Sequence, residues 1–442
     1  MKILGVIMEC NPFHSGHAYF IRKAKELCNA DFCVAVMSGD YVQRGFPACF
    51  PKELRTEVLL KNGADLVLEL PVAFSTGSAE YFASAGIALL DKLGCIDYLC
   101  FGRECGDIET FKKAADLLAN ASGSLSDTSG LSSNADTYFS DALAQKLKEG
   151  KSFPVARYEV LASMPQYREY LSLFESPNNI LGIEYCQALL LRDSKIKPLT
   201  FKREGSGYHD LAVDDTEFAS ASGLRKAFAD ISHSLADQYS ATDISTNAFE
   251  EAVFRKQIPE NCYELYTNAL RNNAFIDADD FSLLLSKQVL FSDIDKLTSY
   301  QDVNIDFAQK LSTLGTKQTS FMAYCDAMKS KNYTHTRISR SLLHIILEIT
   351  KESVEKQVAM DYVSYARILG FRKDASELLS HMKKQTSIPL ISKLADAESI
   401  LNTDSLAQLR QTLTASHLYS AVLASKSGKK MQHECAKQIV IV

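Results

Sequence analysis

Long apolar runs are missing from this sequence: none of its 442 residues belongs to a stretch approaching the roughly 18 residues of a membrane span. The N-terminal apolar segment, Ile3-Leu4-Gly5-Val6-Ile7-Met8, is followed at once by Glu9 and a polar loop, with no small-residue cleavage site. It reads as a first β-strand, not a signal peptide. No CxxC pair occurs among eleven scattered cysteines, an odd count that offers neither a disulfide framework nor a zinc site. Cys95, Cys100 and Cys105 recur at a spacing that suits neither a metal loop nor one helix face, and they read as buried thiols. A soluble protein of a reducing cytosol, without a membrane partner, is expected. The GxxxxGK[ST] phosphate loop, the HExxH metal helix and any repeat of fixed period are absent too, which excludes Walker-type nucleotide binding, zincin chemistry and solenoid architecture. No metal ligand set is visible.

What is present is a globular composition, 46% hydrophobic and 23% charged, in a chain long enough for two or three domains. The net charge of -6 conceals an asymmetry. From Lys317 onward there are 18 Lys and Arg against 11 Asp and Glu, a balance of +7, while the preceding part, with 30 against 43, stands at -13. A polyanionic partner would be held by the C-terminal third.

Short β-branched runs alternate with amphipathic stretches over the first 120 residues: strands at 3–8, 32–37, 65–70 and 98–101, and helices from about Ser15, about Pro51 and about Ser78. Such alternation implies βαβ units and a parallel sheet, whose ligands bind beyond the carboxyl ends of the strands. Residues 120–137, rich in Ser, Asn, Asp and Gly, read as a mobile surface insertion. The α/β pattern resumes with a helix near 179–191, a strand near 198–203 and a helix near Ser222. Beyond about Ser245 the apolar spacing is helical nearly throughout, as in Ser339-x-x-Leu342-Leu343-x-x-Ile346-Leu347, which predicts an all-α region. The expected division is therefore 1–245, a catalytic α/β domain, and 246–442, a helical domain.

The chemistry concentrates directly after the first strand, in Glu9-Cys10-Asn11-Pro12-Phe13-His14-Ser15-Gly16-His17. Pro12 turns the chain, and a helix opens near Ser15, so free backbone N–H groups and the positive end of the helix dipole face an anion. Two imidazoles three residues apart, His14 and His17, lie on one side of the first turn and can donate to phosphate oxygens; Gly16 lets a phosphate approach the backbone. A lone HxxH is also compatible with a metal pair or with two structural histidines, but here it follows a strand and opens a helix. Ser220-Ala221-Ser222-Gly223-Leu224-Arg225 places hydroxyls at a second helix start with a guanidinium one turn in, a second phosphate cradle; a serine N-cap with a surface arginine is the plainer reading. Gly102 ends a strand where backbone must pass close to a nucleoside, or is a simple turn glycine. Arg203 suits bidentate pairing with a phosphate or carboxylate, or a rim salt bridge.

These residues resemble the HxGH nucleotidyltransferase superfamily, and more narrowly the tRNA(Met) cytidine acetate ligase family. The narrower likeness rests on Val6 to His17, on Val36-Met37-Ser38-Gly39-Asp40-Tyr41-Val42-Gln43-Arg44-Gly45, on Phe101-Gly102 and on Pro177-Asn178-Asn179-Ile180-Leu181-Gly182. It extends to Lys202-Arg203, to the 220–225 segment and to Tyr365-Ala366-Arg367-Ile368-Leu369-Gly370-Phe371. The resemblance implies a Rossmann-like parallel sheet of the nucleotidyltransferase type. It implies an enzyme that activates acetate with ATP as acetyl-adenylate and passes the acetyl group to the wobble cytidine of elongator tRNA(Met), giving N4-acetylcytidine. ATP would be held by the segment from Ile7 through Met8, Glu9, Asn11, Pro12, Phe13, His14, Gly16 and His17 to Phe20, by Gly102, by Asn178 or Asn179, and by Arg203. Catalytic roles fall to His14, His17, Ser222 and Arg225, and any Mg²⁺ would arrive with ATP. Asp40, and Cys10 in place of a frequent tyrosine, depart from the family pattern and leave the acetate pocket open.

Basic residues interleaved with rings, the RNA-gripping pattern, occur at Lys329, Lys331, Tyr333, His335, Arg337 and Arg340 and again at Arg367, Arg372 and Lys373; Arg44 follows the second strand. Each cluster alone is equally compatible with a solvated helix face. A small-molecule adenylyltransferase or ligase of the superfamily is the alternative function, which would not need so long a helical tail.

Overall fold

The computed structural model describes residues 1–121, 134–149, 151, 153–203, 220–237 and 257–442. Its strands are β1 (Ile3–Met8), β2 (Phe32–Ser38), β3 (Tyr41–Val42), β4 (Phe46–Pro47), β5 (Leu66–Leu70), β6 (Tyr98–Arg103), β7 (Lys197–Lys202), β8 (Ala366–Phe371), β9 (Leu390–Ile391) and β10 (Val440–Ile441). Five of them lie parallel in the order β5-β2-β1-β6-β7, with β1 paired to β2 from Ile3↔Phe32 to Met8↔Met37. Chain order therefore reverses between β1 and β6, the switch point at which an open parallel sheet leaves a crevice beyond its carboxyl edge.

Alternation along β1 explains why the sheet is covered on both faces. Leu4, Val6 and Met8 are buried against α1 (Ser15–Cys28) and α2 (Lys52–Lys61), while Ile3 and Ile7 pack against the opposite layer, which includes the helix Ala79–Lys92. β5 is buried at every residue, as befits a central strand.

The α/β reading and the helical C-terminal region both hold, with one addition. The C-terminal region sends strands back into the sheet: β8 runs antiparallel to β5, pairing Glu69↔Arg367, and β9 and β10 lie parallel to β8. A short apolar run such as 365–371 cannot be told from a buried helix segment by periodicity alone, which is why this strand is not visible in a helical context. The expected boundary at 245 falls outside the described residues. Elements on either side share the sheet, and one apolar cluster extends from Ile3 to Tyr419. Within the expected insertion, helix continues to Ala121 and resumes at Asn134; residues 122–133 lie outside the description. All eleven cysteines are unpaired.

A buried ion cluster fastens the returning strands. Lys52 Nζ lies 3.2 Å from Asp40, 3.1 Å from Glu69 and 2.8 Å from Glu434, and it donates to Ser416 Oγ at 2.7 Å. Arg367 bridges Glu69 at 2.6 Å and Glu434 at 2.8 Å, and Lys437 closes the set on Glu434 at 2.7 Å. Asp40, which the sequence leaves without a role, is one anchor of this cluster. Arg367 is therefore no RNA contact: the residue is only 6% exposed and its guanidinium engages two carboxylates.

Removing one member of a buried, mutually paired set strands charge in a low dielectric at a cost of about 3–5 kcal/mol. Arg367→Leu should lower the free energy of unfolding by that amount in urea titration; a loss within experimental error would mean that Lys52 and Lys437 suffice.

Candidate active site

The carboxyl ends of β1 and β6 carry the residues that the motifs single out. His14 is the N-cap of α1, with φ -145° and ψ 172°, and the cap is reciprocal: the Gly16 N–H donates to His14 Nδ1 at 3.1 Å, and the His14 N–H donates to His17 Nδ1 at 3.2 Å. The rings lie with centroids 3.9 Å apart, and His17 stacks on Phe13 at 5.4 Å. Because both Nδ1 atoms accept, each neutral ring carries its proton on Nε2. The site therefore presents two fixed N–H donors without a net charge on either ring.

Burial keeps the rings neutral. Burial, the neighbouring His17 and the guanidinium groups of Arg203 and Arg225 hold His14 well below its ordinary value, and burial together with Arg203 brings His17 down to about 3. The same guanidinium groups belong to the second motif and to the end of β7. Arg225 donates to the Asn11 carbonyl at 2.7 Å and to Ser222 Oγ at 2.9 Å, so the helix Ala221–Asp237 is drawn onto the first loop. Ser220 caps that helix, accepting from the Gly223 N–H at 3.0 Å. The two cradles predicted separately thus meet.

Not every residue of the first motif faces the crevice. Met8, Asn11 and Phe13 are buried; Asn11 Oδ1 accepts from the Cys49 N–H at 2.8 Å, and the Phe13 carbonyl accepts from Tyr266 at 3.0 Å. Ile7 packs into the core, Cys10 takes a left-handed φ of 51°, and Pro12 follows a cis peptide. These positions shape the loop; Gly16 and His17 are half-buried on it, and His14, itself buried, caps the helix. Glu9 Oε1 accepts from the Gln43 N–H at 2.7 Å, tying the β3–β4 hairpin to the same strand end.

Phe20 stacks on Phe201 at 5.3 Å beside Gly102. Gly102 lies within β6, not beyond it, and the reason for glycine is specific: a Cβ there would come 2.8 Å from Arg203 Cγ, so the arginine stem can cross the strand end only because the position is bare. The adjacent asparagines separate clearly. Asn179 is fully buried, accepting from the Glu104 N–H at 3.0 Å and donating to Cys105 Sγ at 3.0 Å, whereas Asn178 is half-buried and donates to Glu104 Oε1 at 2.5 Å.

The basic residues divide as well. Arg44 is half-buried with its charge felt by Glu9 and Arg225, which puts it at the rim of the crevice, and its carbonyl accepts from Ser339 Oγ. Gly45, at φ 77°, has the backbone of Arg340 2.2 Å from where its Cβ would stand, so the hairpin is seated directly on the helix His335–Ile346. Arg337 lies over the Tyr333 ring at 5.0 Å, and Lys329 and Lys331 are exposed nearby in the chain. Arg340 is committed to Asp302 at 3.0 Å. Arg372 pairs with Asp374, and it and Lys373 follow the end of antiparallel β8, at the opposite edge of the sheet from the histidines. The structure therefore brings Arg44, His14, His17, Arg203, Ser222 and Arg225 together and leaves Arg372 and Lys373 apart. Missed entirely were Arg55, Glu104 and Tyr266: a cation, an acid and a ring on amphipathic or loop stretches carry no mark in sequence.

A scan against family models matches HIGH Nucleotidyl Transferase over residues 1–434, and the chain belongs to that family. Within it, the chain is similar along nearly its whole length to curated relatives named tRNA(Met) cytidine acetate ligase. That of Clostridium perfringens strain SM101 is 35% identical over 95% of both chains, and that of Acetivibrio thermocellus is 31% identical over the full length of both. Among solved structures, Thermotoga maritima TmcAL bound with alpha-thio ATP superposes with a TM-score of 0.85 at 27% identity, covering 100% of each chain.

The depressed histidines give stability a definite pH slope. Unfolded, each titrates near 6.5; folded, His17 resists protonation until about 3. The unfolded chain thus binds more protons between those values, and stability falls as pH drops through that window. The melting temperature of His17→Gln should fall less between about pH 7 and pH 4.5 than that of the unchanged protein; parallel curves would place a charged imidazole in the folded state.

Proposed function

We propose that the protein is an ATP-dependent acetate ligase that forms acetyl-adenylate and acetylates the wobble cytidine of elongator tRNA(Met) to N4-acetylcytidine. The observation that carries the reading is the pair of neutral imidazoles at the α1 N-terminus, both Nδ1 atoms engaged in the cap so that Nε2 carries each ring's proton, within the electrostatic reach of Arg203, and for His14 of Arg225 also, at the sheet's switch point. Family membership and the shared name of relatives over the full chain supply the substrates.

In the first half-reaction an acetate oxygen attacks the α-phosphorus of ATP, the bond to the bridging oxygen breaks, and pyrophosphate leaves. Charge grows on the phosphoryl oxygens as this happens. His14 and His17 donate to them without having to be charged first, the α1 N–H groups add fixed dipole, and Ser222, Arg225 and Arg203 receive the polyphosphate. Phe20 and Phe201, flat and adjacent to Gly102, suit the adenine; Asn178, not the fully engaged Asn179, is the asparagine able to turn toward the nucleotide. Mg²⁺ would enter with the phosphates, held by their oxygens. In the second half-reaction the cytidine N4 attacks the acetyl carbon, its proton departs, and AMP leaves. Arg44 at the crevice rim, with Lys329, Lys331, Tyr333 and Arg337 on the adjoining surface, forms a basic path with a ring for an unpaired base, leading to the histidines. Localisation in the cytoplasm follows from the tRNA substrate.

Acetate-dependent ATP–pyrophosphate exchange tests the first half. His17→Ala should lower it by at least about a hundredfold while leaving tRNA affinity intact; near-normal exchange would remove the imidazole from the chemistry. Arg337→Ala should do the reverse, weakening tRNA binding and reducing its steep salt dependence by about one counterion; an unchanged salt slope would take Arg337 out of the path.

A further inference from the structure

Among the described residues Arg55 is the largest side chain buried without residual exposure, and it lies in α2, outside every motif above. Its guanidinium makes no ion pair among the described residues. Instead it meets four backbone carbonyls: Nε donates to Phe50 at 3.0 Å, Nη1 to Glu9 at 2.8 Å and to Ser38 at 3.0 Å, and Nη2 to Gly39. Those carbonyls belong to the residues that follow β1, that end β2 and lead into the β3–β4 hairpin, and that precede α2. The first leads directly into Cys10-Asn11 and the histidine cap; the hairpin carries Gln43, which holds Glu9, and Arg44 at the rim.

A surface arginine would be expected to reach solvent or a carboxylate, since a buried cation without a counter-ion is costly. Structural economy alone does not account for a guanidinium here, because any helix-to-sheet contact could be filled by an apolar side chain. What an apolar side chain cannot do is donate to four carbonyls from three separate segments at once. We propose that Arg55 is a positioning residue for adenylate formation, fixing the strand ends of β1 and β2 relative to each other so that the His14 and His17 donors meet the α-phosphate in the transition state. The inference rests on the ligase reading for its substrate and adds a residue to it.

Because the contact is to loop backbone and not to ligand, its loss should appear in turnover more than in ground-state affinity. Arg55→Lys keeps the charge and fills most of the volume but cannot span the four carbonyls. In acetate-dependent ATP–pyrophosphate exchange, normalised to folded protein by circular dichroism, Arg55→Lys should lose kcat by about ten- to a hundredfold with the KM for ATP moved by less than about threefold. Arg55→Gln should lose at least as much. Each variant is also assayed in about 1 M sucrose, which favours the compact state by exclusion from the surface. Wild-type kcat in folded Arg55→Lys overturns the assignment, as does activity that sucrose restores together with structure, or failure to fold even in sucrose, either of which makes Arg55 a folding residue only. An unchanged enzyme that shows no acetate-dependent exchange would instead overturn the ligase reading itself.

Discussion

Where a parallel sheet stops, its last carbonyl oxygens lose their neighbours, and in this protein one cation receives them. Arg55 gathers carbonyls from the ends of β1 and β2 and from the entry to α2, so that the loops beyond are held at a defined spacing instead of being left to water. The histidine pair and Arg44 hang from those loops, while Gly102, Arg203, Ser222 and Arg225 come from β6, the end of β7 and the helix Ala221–Asp237. The β1 loop turns through Asn11 and Pro12, delivers His14 as an N-cap, and is braced from the far side by Arg225 and Tyr266. The β2 loop runs into the hairpin that leans on Glu9 and on the helix His335–Ile346.

A second set of buried charges acts one layer below. Asp40, Lys52, Glu69, Arg367, Glu434 and Lys437 join the carboxyl edge of the parallel strands to the returning C-terminal strands. The consequence is that the hairpin loop, which begins at Asp40, is referenced both to the histidine loop and to the helical region that carries Arg337 and Tyr333. Two halves that composition separates by charge are mechanically one body at this edge.

How far the sequence disclosed this depends on what each residue does. That His14 and Ser220 open helices was legible because caps favour a polar acceptor just before an amphipathic run, and the parallel core strands were legible because their apolar runs are continuous. Arg367, by contrast, counted as surface charge until Glu69, nearly three hundred positions away in the chain, appeared beside it. Arg55 was silent for the same reason: a cation on a helix carries no signal of its burial, since its partners are backbone carbonyls that every sequence has. Asn178 and Asn179 are chemically identical in sequence, and only the turn after β6 distinguishes the buried amide, bonded to the Glu104 N–H and Cys105, from the half-buried one on the Glu104 carboxylate.

In the proposed reaction the neutral imidazole pair steadies the α-phosphate of ATP while acetate is activated for transfer to RNA. Its most direct test is incubation of the protein with ATP, labelled acetate and an elongator tRNA(Met) transcript, followed by nucleoside analysis, with His17→Ala alongside. Labelled N4-acetylcytidine from the unchanged protein alone is the predicted result; acetate-dependent pyrophosphate without labelled nucleoside would contradict the RNA acceptor and leave an adenylate-forming enzyme for a small molecule.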